Sequence, residues 1–292
     1  MFNVKGQIKE NYSLSHLTWF KVGGLAQIFF KPEDTEDLKS MLEQNACSLP
    51  LAVLGAGSNT IIRDGGIAGV VIKLGRGFTD IQLLDDKIKV GASCLNLNLA
   101  KFCLNNSVKG FEFLVGIPGT IGGGVVMNAG AYGAEFKDVL VSIEVMTHAG
   151  KILDIAAKNI EFSYRSANLP PDYIVLNATF KASSGSQQAI SALMDEINSK
   201  RSHTQPIKEK TGGSTFANPH NGKAWELIDK AGLRGYRIGG ASMSEIHCNF
   251  MINDGSASAR DLEQLGDFVK AQVFKNSGVT LEWEIKRIGK YA

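Results

Sequence analysis

Proline is scarce in this 292-residue chain, at 7 residues, and so is cysteine, at 4. So little proline excludes a proline-rich stalk or linker. Cys47, Cys94, Cys103 and Cys248 form no CxxC pair and have no histidine pair beside them, which argues against zinc and dithiol redox sites. No metal is expected, and buried free thiols in a reducing compartment are. Charge of one sign is lacking as well: 31 basic and 29 acidic residues leave a net charge of +2. Nucleic acid and anionic membranes both call for clustered positive charge, so neither is an expected partner. The start MFNVKGQIKENY has no apolar signal region, so a cytoplasmic location is expected. A run of 22 uncharged residues, Phe113 to Ala134, is long enough for a bilayer but holds seven glycines and Pro118. No lipid-facing helix tolerates that composition.

At 44% hydrophobic and 21% charged residues, the chain is globular and long enough for about two domains. Glycine is the excess, with 32 residues. Glycine without proline points to loops that approach a ligand closely.

Helices and strands are mixed along the chain. Asp34 opens DTEDLKSMLEQNA with a capping residue, first-turn acids, and Leu38, Met41 and Leu42 at helical spacing, which predicts a helix. LAVLG (51–55) and IAGVVIKLG (67–75) read as strands, TDIQLLDDKIKVGA as a hairpin and LNLNLAKFCLNN (95–106) as a helix. VLVSIEVMTHAGKILDI (139–155) reads as a hairpin turning at Ala149 and Gly150, and YIVLNATFKA (173–182) as a strand. SSGSQQ (183–188) is the most linker-like stretch, which places a domain boundary there. Beyond it the helices ISALMDEINSKR, AWELIDKAG and SARDLEQLGDFVKAQVFKNSG, the strand CNFMIN and a closing strand TLEWEIKRI suffice for a separate α+β unit.

Two glycine-rich segments carry the chemistry. VLGAGSNTIIRDGG runs a strand into Gly55, Ala56, Gly57, Ser58, Asn59 and Thr60. Bare amides in such a turn form an anion-binding nest, and the polar side chains add donors. The third glycine of a dinucleotide-binding GxGxxG is missing and no helix start follows, so a tight turn without ligand stays open. GIPGTIGGGVVMNAGAYG (116–133) repeats glycine too often for packing alone and suits a large flat ligand lying on the main chain. Its Ile117, Ile121, Val125, Val126 and Met127 are too apolar for an exposed mobile loop. Together the two segments suggest a dinucleotide cofactor, and a valine at Gly57 or Gly123 is expected to meet it.

These residues resemble a known family, the UDP-N-acetylenolpyruvoylglucosamine reductases of bacterial peptidoglycan synthesis. The likeness runs from TWFKVGG (18–24) through both glycine segments, FSYRSANL (162–169), GGSTFANP (212–219), AGLRGYRIGGASMSEIHCNFMIN (231–253) and LEWEIKRIG (281–289). It implies an α+β chain whose residues 1–185 form a two-lobed FAD-binding domain of the vanillyl-alcohol-oxidase (PCMH) type. The lobes would cover about 1–75 and 76–185, and residues 186–292 a substrate-binding domain. It also implies an NADPH-dependent cytoplasmic flavoenzyme of cell-wall synthesis, serving cell shape and division, that acts on a UDP-sugar and has no indicated protein partner. In length it is similar to the shorter of the family's two classes. The implied FAD contacts are Gly55, Ala56, Gly57, Ser58, Asn59, Thr60, Pro118, Gly119, Thr120, Gly123, Asn128, Gly130, Ala131 and Gly133.

The family's reaction passes a hydride from NADPH to FAD and from flavin N5 to C3 of an enolpyruvyl ether, leaving charge on C2 and its carboxylate. By motif position, Arg165 would hold that carboxylate in a bidentate fork. Ser214 would protonate C2, and Glu284 would stabilise the developing charge. Without the resemblance, Arg165 reads as a structural ion pair, Ser214 as a turn residue and Glu284 as a solvated strand residue. Strand alternation puts Glu282 on the same face as Glu284, so only the motif selects between them. Asn218 and Tyr236 are expected substrate contacts. Arg237, or Arg234, would replace a lysine that the family often has where this chain has Ile246. His247 is expected to be structural, and His16, His148, His203 and His220 to lie at the surface. Two other readings stay open: another FAD-dependent oxidase or dehydrogenase of the same fold, and a non-catalytic nucleotide-binding module.

Overall fold

The computed structural model describes residues 2–45, 49–220 and 222–292, so Cys47 lies outside the described residues. Helices and strands alternate, in the expected α+β class. The α-helices are α1 (Thr35–Gln44), α2 (Asn96–Asn105), α3 (Ile121–Val126), α4 (Phe136–Val139), α5 (Gln187–Thr204), α6 (Ala224–Lys230) and α7 (Ala259–Ser277). Helix α1 begins where its sequence signals it. Asp34 accepts a hydrogen bond from the Asp37 amide at 2.8 Å, a cap worth about 1 kcal/mol.

Two compact units divide the chain. One holds the chain up to Lys9 with Phe29–Ala56 and Val70–Lys200; the other holds Glu10–Ile28, Gly57–Gly69 and Arg201–Ala292. They are not consecutive stretches on either side of 185 and 186. The expected linker is not a linker: Ser183–Ser184 pairs antiparallel with Val108–Lys109, and the Gly185 amide donates to the Ser107 carbonyl at 2.8 Å. Small polar residues serve a short strand edge as well as a flexible connection, and composition does not reveal the distant partner strand. The division falls inside α5, between Lys200 and Arg201.

The first unit is built on a five-stranded antiparallel sheet in the order Ile152–Ala156, Leu140–Thr147, Tyr173–Lys181, Lys87–Gly91, Ile81–Leu84. Both predicted hairpins lie in it. Leu83 faces Ile88 in one; Val145 faces Leu153 in the other, whose turn needs Gly150 at φ 78°. Cys94 and Cys103 are buried outside any disulfide. Burial pushes their thiols up to about 11 and about 12, which keeps them protonated and unreactive.

The second unit packs around α7, whose Leu262, Leu265, Val269 and Val273 form a buried stripe at helical spacing. Each such side chain contributes about 1.5–3 kcal/mol by burial. The stripe joins one core cluster with Phe20, Ile61, Phe216, Met243 and Ile285. Residues 57–69 are tied to this unit by charge as well as by packing and strand pairing. Arg63 makes an ion pair at 3.0 Å with Glu263, whose side chain is almost wholly buried, and Asp64 accepts from the Ala259 and Arg260 amides at the start of α7, each at 3.0 Å. Thr60–Ile62 pairs in parallel with Lys286–Ile288, the only regular part of the expected closing strand TLEWEIKRI.

Candidate active site

Within the first unit, packing accounts for some glycines and not for others. A Cβ at Gly122 would stand 3.0 Å from Ala92, and one at Gly124 would stand 2.2 Å from the Phe136 ring. Gly124 is demanded by the core, and Gly122 is tight against it. Between them, Gly123 would meet only Thr120 Oγ1, at 3.5 Å. Glycine inside a helix costs about 1 kcal/mol against alanine, and no packing at Gly123 offsets that cost. The bare main chain there leaves room for a ligand to approach closely. Thr120 caps α3, its hydroxyl accepting from the Gly123 amide at 3.4 Å, and a Cβ at Gly55 would stand 2.9 Å from the same hydroxyl. Gly55 and the 119–123 loop therefore share one surface. Asn96 holds that loop: its backbone amide donates to the Gly119 carbonyl at 3.1 Å and its side chain to the Ile117 carbonyl at 3.0 Å. Pro118 lies between these two anchor points.

Gly130–Ala131 pairs with Ala134–Glu135 through a two-residue turn, Tyr132 and Gly133, at φ 53° and 85°. Two consecutive positive φ values give the tight hairpin geometry that favours glycine. Asn128 is fully buried. Its amide donates to Glu135 at 3.0 Å and to the Ser163 carbonyl at 3.2 Å, while its oxygen accepts from the Lys137 amide at 3.1 Å. Its side chain thus shapes the loop. Arg165 is attached to the same loop, donating from Nη2 to the Gly130 carbonyl at 2.9 Å. Its φ of 56° belongs to the two-residue turn that the Ser163–Ser166 bridge closes. Lys73 went unnoticed in the sequence, although a lone lysine closing the apolar IAGVVI was the available signal. Its Nζ donates to the Gly55 carbonyl.

The second unit carries the rest of the GAGSN turn. Gly57 has φ 65°, and a Cβ there would stand 2.3 Å from the Leu17 carbonyl. Packing against TWFKVGG demands this glycine, so a valine at 57 strikes the Leu17 backbone first, and a loss of flavin in that variant would not by itself mark a cofactor contact. Asn59 Nδ2 donates to the Glu284 carbonyl at 3.2 Å. The Glu284 amide donates to the Thr215 carbonyl at 2.9 Å, one residue from Ser214, which is itself bridged to Phe250. Asn59, Ser214 and Glu284 are thus brought together although Asn59 and Glu284 are 225 positions apart. Ser58 precedes this group, and Thr60 opens the parallel pairing opposite Lys286.

Structure separates the two glutamates that alternation could not. Residues 281–285 form no continuous strand, because Trp283 makes only an isolated bridge to Phe216. Glu282 is 75% exposed, with Lys270 at 3.9 Å, whereas Glu284 is half-buried. The three expected substrate contacts are engaged locally. Asn218 accepts from the Ala224 amide at 3.0 Å and so caps α6, Tyr236 stacks on Phe268 at 4.6 Å, and Arg237 pairs with Asp254. Arg234 bonds to Asp229 at 2.9 Å and to the Glu245 carbonyl at 2.5 Å.

His247 packs against Trp225 and Phe250, with ring centroids 6.4 and 4.8 Å away. Burial, with Arg234 adding to it, holds its pKa below the ordinary 6.5. Below that pH the unfolded chain binds a proton that the folded chain resists, so stability falls on acidification. The urea midpoint should drop between about pH 7.5 and about pH 5.5, and drop less in His247→Gln. An equal drop in both proteins would show that another group is responsible.

Residues 205–288 match the family described as "UDP-N-acetylenolpyruvoylglucosamine reductase, C-terminal domain", and residues 26–156 match "FAD binding domain". The UDP-N-acetylenolpyruvoylglucosamine reductase of Rickettsia felis is 66% identical over 288 residues, covering 99% of this chain and 98% of that one. The chain belongs to the UDP-N-acetylenolpyruvoylglucosamine reductase family. The Rickettsia massiliae reductase has the same identity and coverage. The crystal structure of the Thermus caldophilus reductase superimposes with a TM-score of 0.86 at 33% identity, covering 98% of this chain and all of the other. The expected α+β class with an FAD-binding part holds. As a member of the reductase family, the chain is an FAD-containing oxidoreductase, and the bare main chain at Gly123 fits a flat cofactor. Among the described residues, no helix is long and apolar enough to cross a membrane. Gly123→Val, which meets no packing obstacle, should yield folded protein with little bound flavin. Full flavin content in that variant would remove the α3 loop from the cofactor surface.

Proposed function

We propose that this chain reduces the enolpyruvyl ether of UDP-N-acetylglucosamine-enolpyruvate to UDP-N-acetylmuramate for peptidoglycan synthesis, with NADPH as electron source. FAD, held by the glycine-rich segments, would supply the hydride relay between NADPH and C3 of the ether. The remaining work falls to side chains. Arg165, anchored on the Gly130 loop, holds the substrate carboxylate through its guanidinium. Ser214 gives its hydroxyl proton to C2. Serine is a weak acid, so the transfer needs neighbouring donors that stabilise the oxygen left behind. Glu284, as its protonated carboxyl, donates a hydrogen bond to the charge that develops at C2 and its carboxylate.

The observation that carries this reading is the joining of Asn59, Ser214 and Glu284 through the Thr215 and Glu284 backbones. We place the reaction in the cytoplasm. The three described cysteines, in no disulfide, suit a reducing compartment. Stopped-flow mixing in the absence of oxygen tests the function. The NADPH-reduced flavin should be reoxidised rapidly by the enolpyruvyl sugar, and the product should be heavier by two hydrogens. Reduced flavin that the sugar leaves unchanged, but that a second, air-saturated mixing reoxidises rapidly, would favour an oxidase of the same fold.

A further inference from the structure

We propose that Lys73, with Lys31 beside it, is a further cofactor-binding residue whose ammonium recognises the diphosphate of bound FAD at Gly55. Lys73 follows the strand Ile67–Ile72. Its amide donates to the Phe30 carbonyl at 2.9 Å, which sets it next to the end of the strand Leu25–Lys31. Its Nζ donates to the Gly55 carbonyl. Among the described residues no carboxylate bonds to it, and the charge that acts on it is another cation, Lys31. Removing an ammonium from water beside a second ammonium, against one neutral carbonyl, is unfavourable. Burial, then Lys31, accordingly hold its pKa below the ordinary lysine value. A diphosphate oxygen reverses both effects, supplying the missing counter-charge and acceptors for the remaining N–H bonds. Its position matters as much as its charge. Gly55 faces the Thr120 hydroxyl, which in turn accepts from Gly123, so Lys73 stands at one end of the glycine surface assigned to the cofactor.

The inference rests on that glycine surface being the FAD surface, and the experiment separates the two ideas. Apoprotein of wild type, Lys73→Met, Lys73→Arg and Gly123→Val is titrated with FAD by quenching of flavin fluorescence, at low and high salt. Riboflavin is titrated in parallel. Lys73→Met should weaken FAD binding about 10- to 100-fold and flatten its salt dependence, Lys73→Arg should restore most of the affinity, and riboflavin, which has no phosphate, should be unaffected. Melting of the Lys73→Met apoprotein should occur no lower than in wild type, since a desolvated charge has been removed. Unchanged FAD affinity in Lys73→Met overturns the proposal, and so does an equal loss of FAD and riboflavin, which marks a packing defect. Unchanged FAD affinity with a reduced preference for NADPH over NADH also overturns it, because the anion is then the phosphate of the electron donor. If Gly123→Val keeps full FAD affinity too, the glycine surface itself is wrongly placed; if Gly123→Val alone loses FAD, only the role of Lys73 fails.

Discussion

Ser214→Ala should still let NADPH bleach the flavin at a near-normal rate, while reoxidation by the enolpyruvyl sugar slows by about 10²- to 10⁴-fold. The split follows from the work assigned to the hydroxyl, which is needed only when C2 takes its proton. The fold gives the variant a fair test. Asn249 pins the segment from both sides: its carbonyl accepts from the Thr215 amide at 2.7 Å, and its side chain bonds to the Phe216 amide and carbonyl at 3.0 and 2.9 Å. Loss of one half-buried oxygen at 214 leaves those bonds intact. Stopped-flow measurement of the two half-reactions decides the matter. Equal losses in both would point to a disturbed cofactor and away from a proton donor.

Glu284→Ala should slow the same reoxidation step by about 10²- to 10³-fold, the usual cost of removing a preorganised donor from a site of developing charge. Glu284→Gln should be hurt less, because an amide still donates a hydrogen bond and a methyl does not. Glu282→Ala should be nearly normal: its carboxylate is 75% exposed, with one lysine at 3.9 Å, and such pairs contribute about 0–1 kcal/mol. Single-turnover traces of the three variants give the ranking. A crippled Glu282→Ala beside a normal Glu284→Ala would mean that the motif has been placed two residues out of register.

Local elements were legible in the residues themselves, because their causes are local. Asp34 before a 3–4 spaced apolar stripe is enough to start α1, and Ser258 with Asp261 and Gly278 frame α7 by cap geometry alone. Both hairpins were visible from alternation and turn residues. The family is legible in its ordered motifs alone. What failed depended on partners far away in the chain. SSGSQQ looked like a linker because nothing near it reveals the strand Val108–Lys109 that it meets. TLEWEIKRI looked like a full strand because its alternation does not show that only Lys286–Ile288 finds a partner. The apolar pattern and composition by themselves determined a chain of mixed helices and strands with its glycine concentrated in a few segments. Tertiary structure alone decided that residues 57–69 fold with the C-terminal unit, since the buried pairing of Arg63 with Glu263 and the capping of α7 by Asp64 join residues nearly 200 positions apart. It alone decided which glycines are bare and which are packed, because a missing Cβ has meaning only once the atoms it would have met are in place.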